Sequence, residues 1–77
     1  MNKFLTKDLQ LAGFLYAKGV IFVGVNRIGK LCRFVFENRE SCEKLQQLFY
    51  AKQIDVNAKE YSDALRTLKD LVFSVDQ

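Results

Sequence analysis

The sequence contains no histidine and no proline, and only two of its 77 residues are cysteines. Without histidine, the chain lacks the commonest general base and the commonest metal ligand at neutral pH. Its carboxylates, lysines and thiols form no catalytic or metal-binding spacing, and a domain of this size rarely has room for both a core and a catalytic pocket. We therefore predict a protein that is not an enzyme, with no catalytic residues, no metal, no other cofactor and no small-molecule substrate.

Long apolar runs and a secretion signal are also missing. The apolar run at residues 20–25 is far shorter than the ~20 residues that span a bilayer. The first residues include Lys3 and Lys7 and lack the layout of a signal peptide. Cys32 and Cys42 allow either a disulfide or two free thiols, and the missing signal favours buried free thiols in a reducing compartment. We expect a cytoplasmic protein with no membrane contact.

The remaining pattern predicts one small α+β domain over residues 1–77, with an ordered core at about 4–73. Residues 20–25 and 31–37 are rich in β-branched and aromatic side chains and flank a short basic segment, which is the pattern of a β-hairpin. Gly24 within the first run suggests a bulge or the close approach of another backbone. The second run places Cys32, Phe34 and Phe36 on one face and Arg33 on the other.

Three helices surround this hairpin in the sequence. Thr6 is the predicted N-cap of the first, which ends before Gly19. Asn38 is the predicted N-cap of the second, and Asn57, with Glu60 three residues later, begins the third. The predicted order is therefore helix, β-hairpin, helix, helix.

Two strands alone are marginally stable, so we expect either a short third strand or edge pairing in a dimer. The candidates for a third strand are residues 1–4, 54–56 and 73–75. The apolar positions at helical and strand spacing predict this core: Leu9, Ala12, Leu15, Phe22, Phe34, Phe36, Leu45, Leu48, Phe49, Tyr61, Leu65 and Leu68.

Charge is distributed unevenly along the chain. Residues 1–36 hold six basic residues and one acidic residue, whereas residues 37–77 hold six and eight. A basic β-ribbon can contact a nucleic-acid backbone through flexible cations. The leading hypothesis is therefore a non-catalytic module that binds DNA or RNA through Lys18, Arg27, Lys30 and Arg33. Alternatively, these cations only keep a sheet edge soluble.

The second face of the hairpin provides another functional hypothesis. Alternation places Ile21, Val23 and Val25 on one side of the first run, and Val35 of the second run accompanies them. A strand that is apolar on both sides is usually covered on both sides. These four residues therefore predict an interface, either in a homodimer or with a protein partner of the kind that a phage-type inhibitor binds.

Several short segments together resemble a known family. They are residues 4–12, 34–37, 49–50 and 56–61, the last running into 64–72, and their order and spacing span nearly the whole chain. In these features the chain is similar to a family of small prokaryotic domains of unknown function, often carried by phages or plasmids. The resemblance implies a stand-alone accessory or regulatory domain, and it brings no reaction and no catalytic residues.

Overall fold

The protein forms a three-stranded sheet with three helices, as predicted for an α+β domain. The computed structural model describes the backbone of residues 2–75 and the side chains of residues 2–74. In chain order the elements are β1 (Phe4–Thr6), α1 (Leu9–Ala17), β2 (Phe22–Ile28), β3 (Leu31–Phe36), α2 (Arg39–Tyr50) and α3 (Ala58–Val75). The hairpin and the three helices are confirmed, and a short strand at the amino-terminal end completes the sheet.

The sheet is antiparallel throughout, in the order β1-β3-β2. Strand β2 continues three residues beyond the predicted end at Val25, so the hairpin loop contains only Gly29 and Lys30. Gly29 has a φ of 61°, and glycine at the first central position is typical of the type II′ turns that close two-residue hairpins. The tip is therefore shorter than the segment at residues 26–30 that separates the two predicted strands.

The third strand lies close to one of its three predicted positions. Strand β1 pairs with β3 from Phe4 opposite Phe36 to Thr6 opposite Phe34. The candidate at residues 1–4 was thus in the correct region but about two residues too early, and Met1 lies outside the described residues. Residues 54–56 form no regular element, and residues 73–75 belong to α3, so these two candidates are wrong.

The N-cap of α1 is Asp8 and not Thr6. The Asp8 carboxylate accepts hydrogen bonds from the backbone N–H groups of Gln10 and Leu11 at 3.0 and 3.2 Å. Thr6 is the last residue of β1, and its hydroxyl accepts a hydrogen bond from the Asp8 backbone at 3.1 Å. Both residue types cap helices, but the pairing of Thr6 with β3 holds it in extended conformation and moves the helix start by two residues.

The other predicted helix boundaries are confirmed. Gly19 follows the C-cap of α1 with a φ of 87°, which allows the chain to turn towards β2. Asn38 Oδ1 accepts from the backbone N–H of Ser41 at 3.1 Å, and Asn57 Oδ1 accepts from that of Glu60 at 3.0 Å.

The core lies between the helices and one face of the sheet, and α1 is its centre. Every residue of α1 from Leu11 to Leu15 is buried, as in a helix that neighbours surround. Aromatic contacts join neighbouring elements: the ring centroids of Phe14 on α1 and Phe49 on α2 are 5.0 Å apart, and those of Phe22 on β2 and Phe36 on β3 are 5.3 Å apart.

Most of the predicted core is confirmed, since Ala12, Leu15, Phe34, Phe36 and Leu68 are buried and five others pack against them: Leu9, Phe22, Leu45, Phe49 and Tyr61. Leu48 is 38% exposed, so its assignment to the core is wrong, and Leu65 is half-buried beside Gly13. The list omitted these buried residues: Phe4, Leu11, Phe14, Cys42 and Ala64.

Candidate interaction surface

One face of the sheet has no covering among residues 2–75. The side chains of Phe4, Phe22, Phe34 and Phe36 belong to the core cluster, so these positions define the covered face. Because side chains alternate along a strand, the intervening positions lie on the opposite face, which we call the outer face. Its side chains include Leu5, Ile21, Val23, Ile28, Leu31, Arg33 and Val35.

The outer face is largely aliphatic and accessible. Its five most accessible apolar side chains are between 38% and 68% exposed: Leu5, Ile21, Val23, Ile28 and Leu31. Isolated exposed aliphatic residues are ordinary in folded proteins, but contiguous ones on an uncovered sheet often mark an interaction site. Val35, half-buried on the central strand, lies between Leu5 of β1 and Gly24 of β2.

A bulge in β2 decides which valines belong to the outer face. Phe22 pairs with Phe36, whereas Gly24 pairs with Val35, so Val23 is the extra residue. The bulge at Gly24 is confirmed, and it reverses the alternation after Val23. Val25 therefore lies opposite Phe34 and packs against the core, so its assignment to the interface face is wrong. The other three predicted interface residues lie on the outer face.

The sequence-based interpretation missed three residues of this surface. Leu5 was missed because the strand candidate at residues 1–4 ends before it, and Ile28 and Leu31 because the first strand of the hairpin was predicted to end at Val25. Ile28 and Leu31 pair across the two-residue turn. Their symmetrical positions around Gly29 and Lys30 were the available signal.

The four predicted nucleic-acid-binding cations do not form one patch. Lys18 is the C-cap of α1, and its Nζ lies 5.9 Å from the ring centroid of Phe14. Lys30 is in the hairpin turn at the other end of β2, and a seven-residue strand spans ~20 Å. Lys18 is therefore remote from the hairpin tip.

The other two cations lie on opposite faces of the hairpin. Arg27 is opposite Cys32 on the side of the covered face, and its Nε donates to the carbonyl of Gly29 at 3.0 Å. Arg33 is opposite Asn26 on the outer face and forms no ion pair with a described residue. Only Lys30, Arg27 and Arg33 are thus neighbours, around the tip.

Aromatic side chains are absent from the outer face. The four aromatic residues in the strands all lie on the covered face, within or against the core. Stacking on unpaired bases requires exposed aromatic rings. Within residues 2–74, the outer face therefore offers aliphatic side chains and a few polar ones, Arg33 among them, but no stacking platform for bases.

Charges at one end of the outer face neutralise each other. Lys3 precedes Phe4 and Glu37 follows Phe36, so alternation places both on the outer face. Lys3 Nζ lies 3.2 Å from Glu37 Oε1, and both side chains are partly exposed. Arg33 is consequently the only charge on this face without a local partner among the described residues.

Two further polar contacts connect the helices. The Tyr50 hydroxyl donates to Asp8 Oδ2 at 2.6 Å, and this hydrogen bond raises the pKa of Tyr50 above its ordinary value. Tyr61 donates to the carbonyl of Gln10 at 3.0 Å, and burial raises the pKa of its hydroxyl. Cys32 and Cys42 are free thiols, and burial raises the pKa of Cys42.

Comparison with known proteins identifies a family and no activity. None of the helices within residues 2–75 is both long and apolar enough to cross a membrane. Neither the curated proteins nor the solved structures include a significant match to the chain. A family model, described as a domain of unknown function (DUF5659), matches residues 1–74. The chain therefore belongs to the DUF5659 family.

Proposed function

We propose that the domain is a non-catalytic interaction module that self-associates by packing the outer faces of two copies together. The observation that carries this proposal is the uncovered outer face with its accessible aliphatic side chains. Two sheets that pack face to face lie about 10 Å apart and bury the side chains of both inner faces. Such packing would give each small sheet the second covering that its aliphatic outer face lacks.

The charges of the outer face favour a second copy as the occupant. Arg33, Val35 and Glu37 follow one another on this face along the line of β3. If the second copy is related to the first by a twofold axis at Val35, Arg33 of each copy lies opposite Glu37 of the other. The carboxylate of Glu37 is then shared between that arginine and Lys3 of its own chain. The same surface then serves both copies, as a twofold dimer requires. These exposed pairs add only about 0.2–1 kcal/mol each and mainly set the orientation.

Edge pairing of β2 is the less favoured mode of association. Strand β2 is at one edge of the sheet, but its bulge at Val23 and Gly24 interrupts a regular ladder. Bulges twist an edge strand and discourage pairing with another strand. Self-association through the face therefore fits this hairpin better than the edge pairing considered from the sequence.

The experiment compares two leucine substitutions of nearly equal exposure by sedimentation equilibrium. Leu5, on the outer face, is 40% exposed, and Leu48, on α2, is 38% exposed. Because a twofold interface contains each residue twice, Leu5→Glu removes two leucines, and burying the 40% of each side chain that is still exposed is worth about 0.6–1.2 kcal/mol. We expect Leu5→Glu to raise the dimer dissociation constant by about tenfold or more. Leu48→Glu should leave it unchanged.

Two results would overturn the proposal. One is a wild-type chain that remains monomeric at concentrations up to about 1 mM, where even an association free energy of about 4 kcal/mol would populate the dimer. The other is an equal increase in the dimer dissociation constant for Leu5→Glu and Leu48→Glu. Circular dichroism of both variants establishes that any change in mass does not result from unfolding.

Nucleic-acid binding through the hairpin tip stays a prediction with its own test. Arg27, Lys30 and Arg33 surround the turn, and three phosphate contacts give a modest, salt-dependent affinity. Fluorescence anisotropy with a single-stranded and a duplex oligonucleotide should show binding at low salt that Lys30→Gln and Arg33→Gln weaken. Lys18→Gln, which is remote from the tip, should have little effect. No binding at low salt would exclude this function.

A further inference from the structure

An open groove lies on the other side of the sheet from the outer face, between α1, β3 and the last turns of α3. Its volume is about 520 Å³, within the range of small-molecule sites in proteins. Apolar side chains form its walls: Leu9, Phe34, Val72 and Phe73. Phe34 is buried at its base, whereas Phe73 is 67% exposed at its side.

The polar groups of the groove have one sign of charge. Lys7, before α1, and Lys69, on α3, both line it, and no carboxylate among the side chains of residues 2–74 does. Lysine stems commonly cover apolar surface while their ammonium groups stay in water. Two cations therefore accompany an apolar site of small-molecule size. Cys32 is the remaining lining residue, and its thiol is free and half-buried.

We propose that this groove binds a single-chain carboxylate amphiphile of the fatty-acid class. The hydrocarbon chain lies among Leu9, Phe34, Val72 and Phe73, and the carboxylate lies between Lys7 and Lys69. The two lysines favour an anionic ligand, and the apolar walls favour one that carries a hydrocarbon chain. The proposal concerns binding without any reaction, and it does not depend on self-association of the outer face.

Cys32 supplies a built-in reporter for the experiment. Alkylation of Cys32 by iodoacetamide is followed by mass spectrometry with octanoate, decanoate or dodecanoate present below micelle-forming concentrations. Cys42 is fully buried and should remain unmodified, which verifies that the fold is intact. We expect the fatty acids to slow alkylation of Cys32. Since a buried CH₂ contributes about 0.8 kcal/mol, each two-carbon extension should tighten binding by about tenfold.

Matched variants test the role of the two lysines. Lys7→Gln, Lys69→Gln and Lys44→Gln each remove one positive charge, but Lys44 is on α2 and does not line the groove. We expect the first two to weaken decanoate binding at least threefold and Lys44→Gln to leave it unchanged. Decanol, which lacks the charge, should bind more weakly than decanoate and respond to none of the three.

Several outcomes would overturn the proposal. They are no protection of Cys32 by any of the three acids, protection that is independent of chain length, equal protection by decanol, and equal effects of all three lysine variants. The last would indicate attraction by the net charge of the protein and not by a site.

Discussion

The contact between α1 and α3 at Gly13 gives the sharpest test of the packing. Gly13 lies in the middle of α1, and a Cβ atom added there would be 2.6 Å from Leu65 Cδ2 and 3.2 Å from Leu65 Cγ. The substitution Gly13→Ala has two opposing effects. Alanine stabilises a helix interior by about 1 kcal/mol relative to glycine, whereas overpacking a core costs roughly 1–3 kcal/mol.

The partly exposed position of Leu65 determines the balance. Because Leu65 is only half-buried, its terminal methyl can rotate away, and we expect a net loss of about 1 kcal/mol for Gly13→Ala. In a Leu65→Ala background the clash is absent, so Gly13→Ala should instead stabilise the protein by about 1 kcal/mol. The sign of the effect therefore reverses between the two backgrounds.

Urea unfolding of the four proteins in this double-mutant cycle measures the coupling directly. We expect a coupling free energy of about 2 kcal/mol, well above the uncertainty of such cycles. If Gly13→Ala changes the free energy of unfolding equally in both backgrounds, the two side chains do not meet and the packing of α1 on α3 is incorrect.

Three further predictions concern single positions. Asp8→Ala should lower the free energy of unfolding by about 1 kcal/mol and Thr6→Ala by clearly less, as measured by urea unfolding, and the reverse order would contradict the observed N-cap. Gly29→Ala should cost about 1–2 kcal/mol in the same assay, because its φ of 61° is unfavourable for residues with a Cβ. Burial raises the pKa of Cys42 above its ordinary value of 9.0, so the unfolded chain loses this proton first and stability falls as the pH rises above about 9. The Cys42→Ala variant should therefore lose less stability than the wild type as the pH rises above about 9. An identical pH dependence of the free energy of unfolding in the two proteins would contradict this prediction.

The sequence predicted those parts of the fold that local patterns determine. The hairpin, the asparagine caps at Asn38 and Asn57 and the bulge at Gly24 each follow from residue types at fixed spacings. The start of α1 did not follow, since Thr6 and Asp8 are both good N-caps. The choice between them depends on the pairing of β1 with β3, which is a contact between distant parts of the chain.

The candidate surface was less predictable because one residue reverses the alternation of a strand. The bulge moves Val25 into the core, although its spacing from Val23 suggested a shared face. Likewise, the cations near the hairpin are close in sequence, but strand alternation sends Arg27 and Arg33 to opposite faces. The groove could not be predicted for a similar reason, since Lys7 and Lys69 are far apart in sequence and line the same groove only in the folded chain.

The central claim is that the outer face becomes buried between two copies of the chain. Methyl NMR spectra recorded over a dilution series test this claim most directly. We expect concentration-dependent shifts of the Val23, Ile28 and Val35 methyl groups, while those of Leu48 on the helical layer remain constant. Unchanged outer-face methyl groups across the series, or shifts confined to the helical layer, would contradict the account.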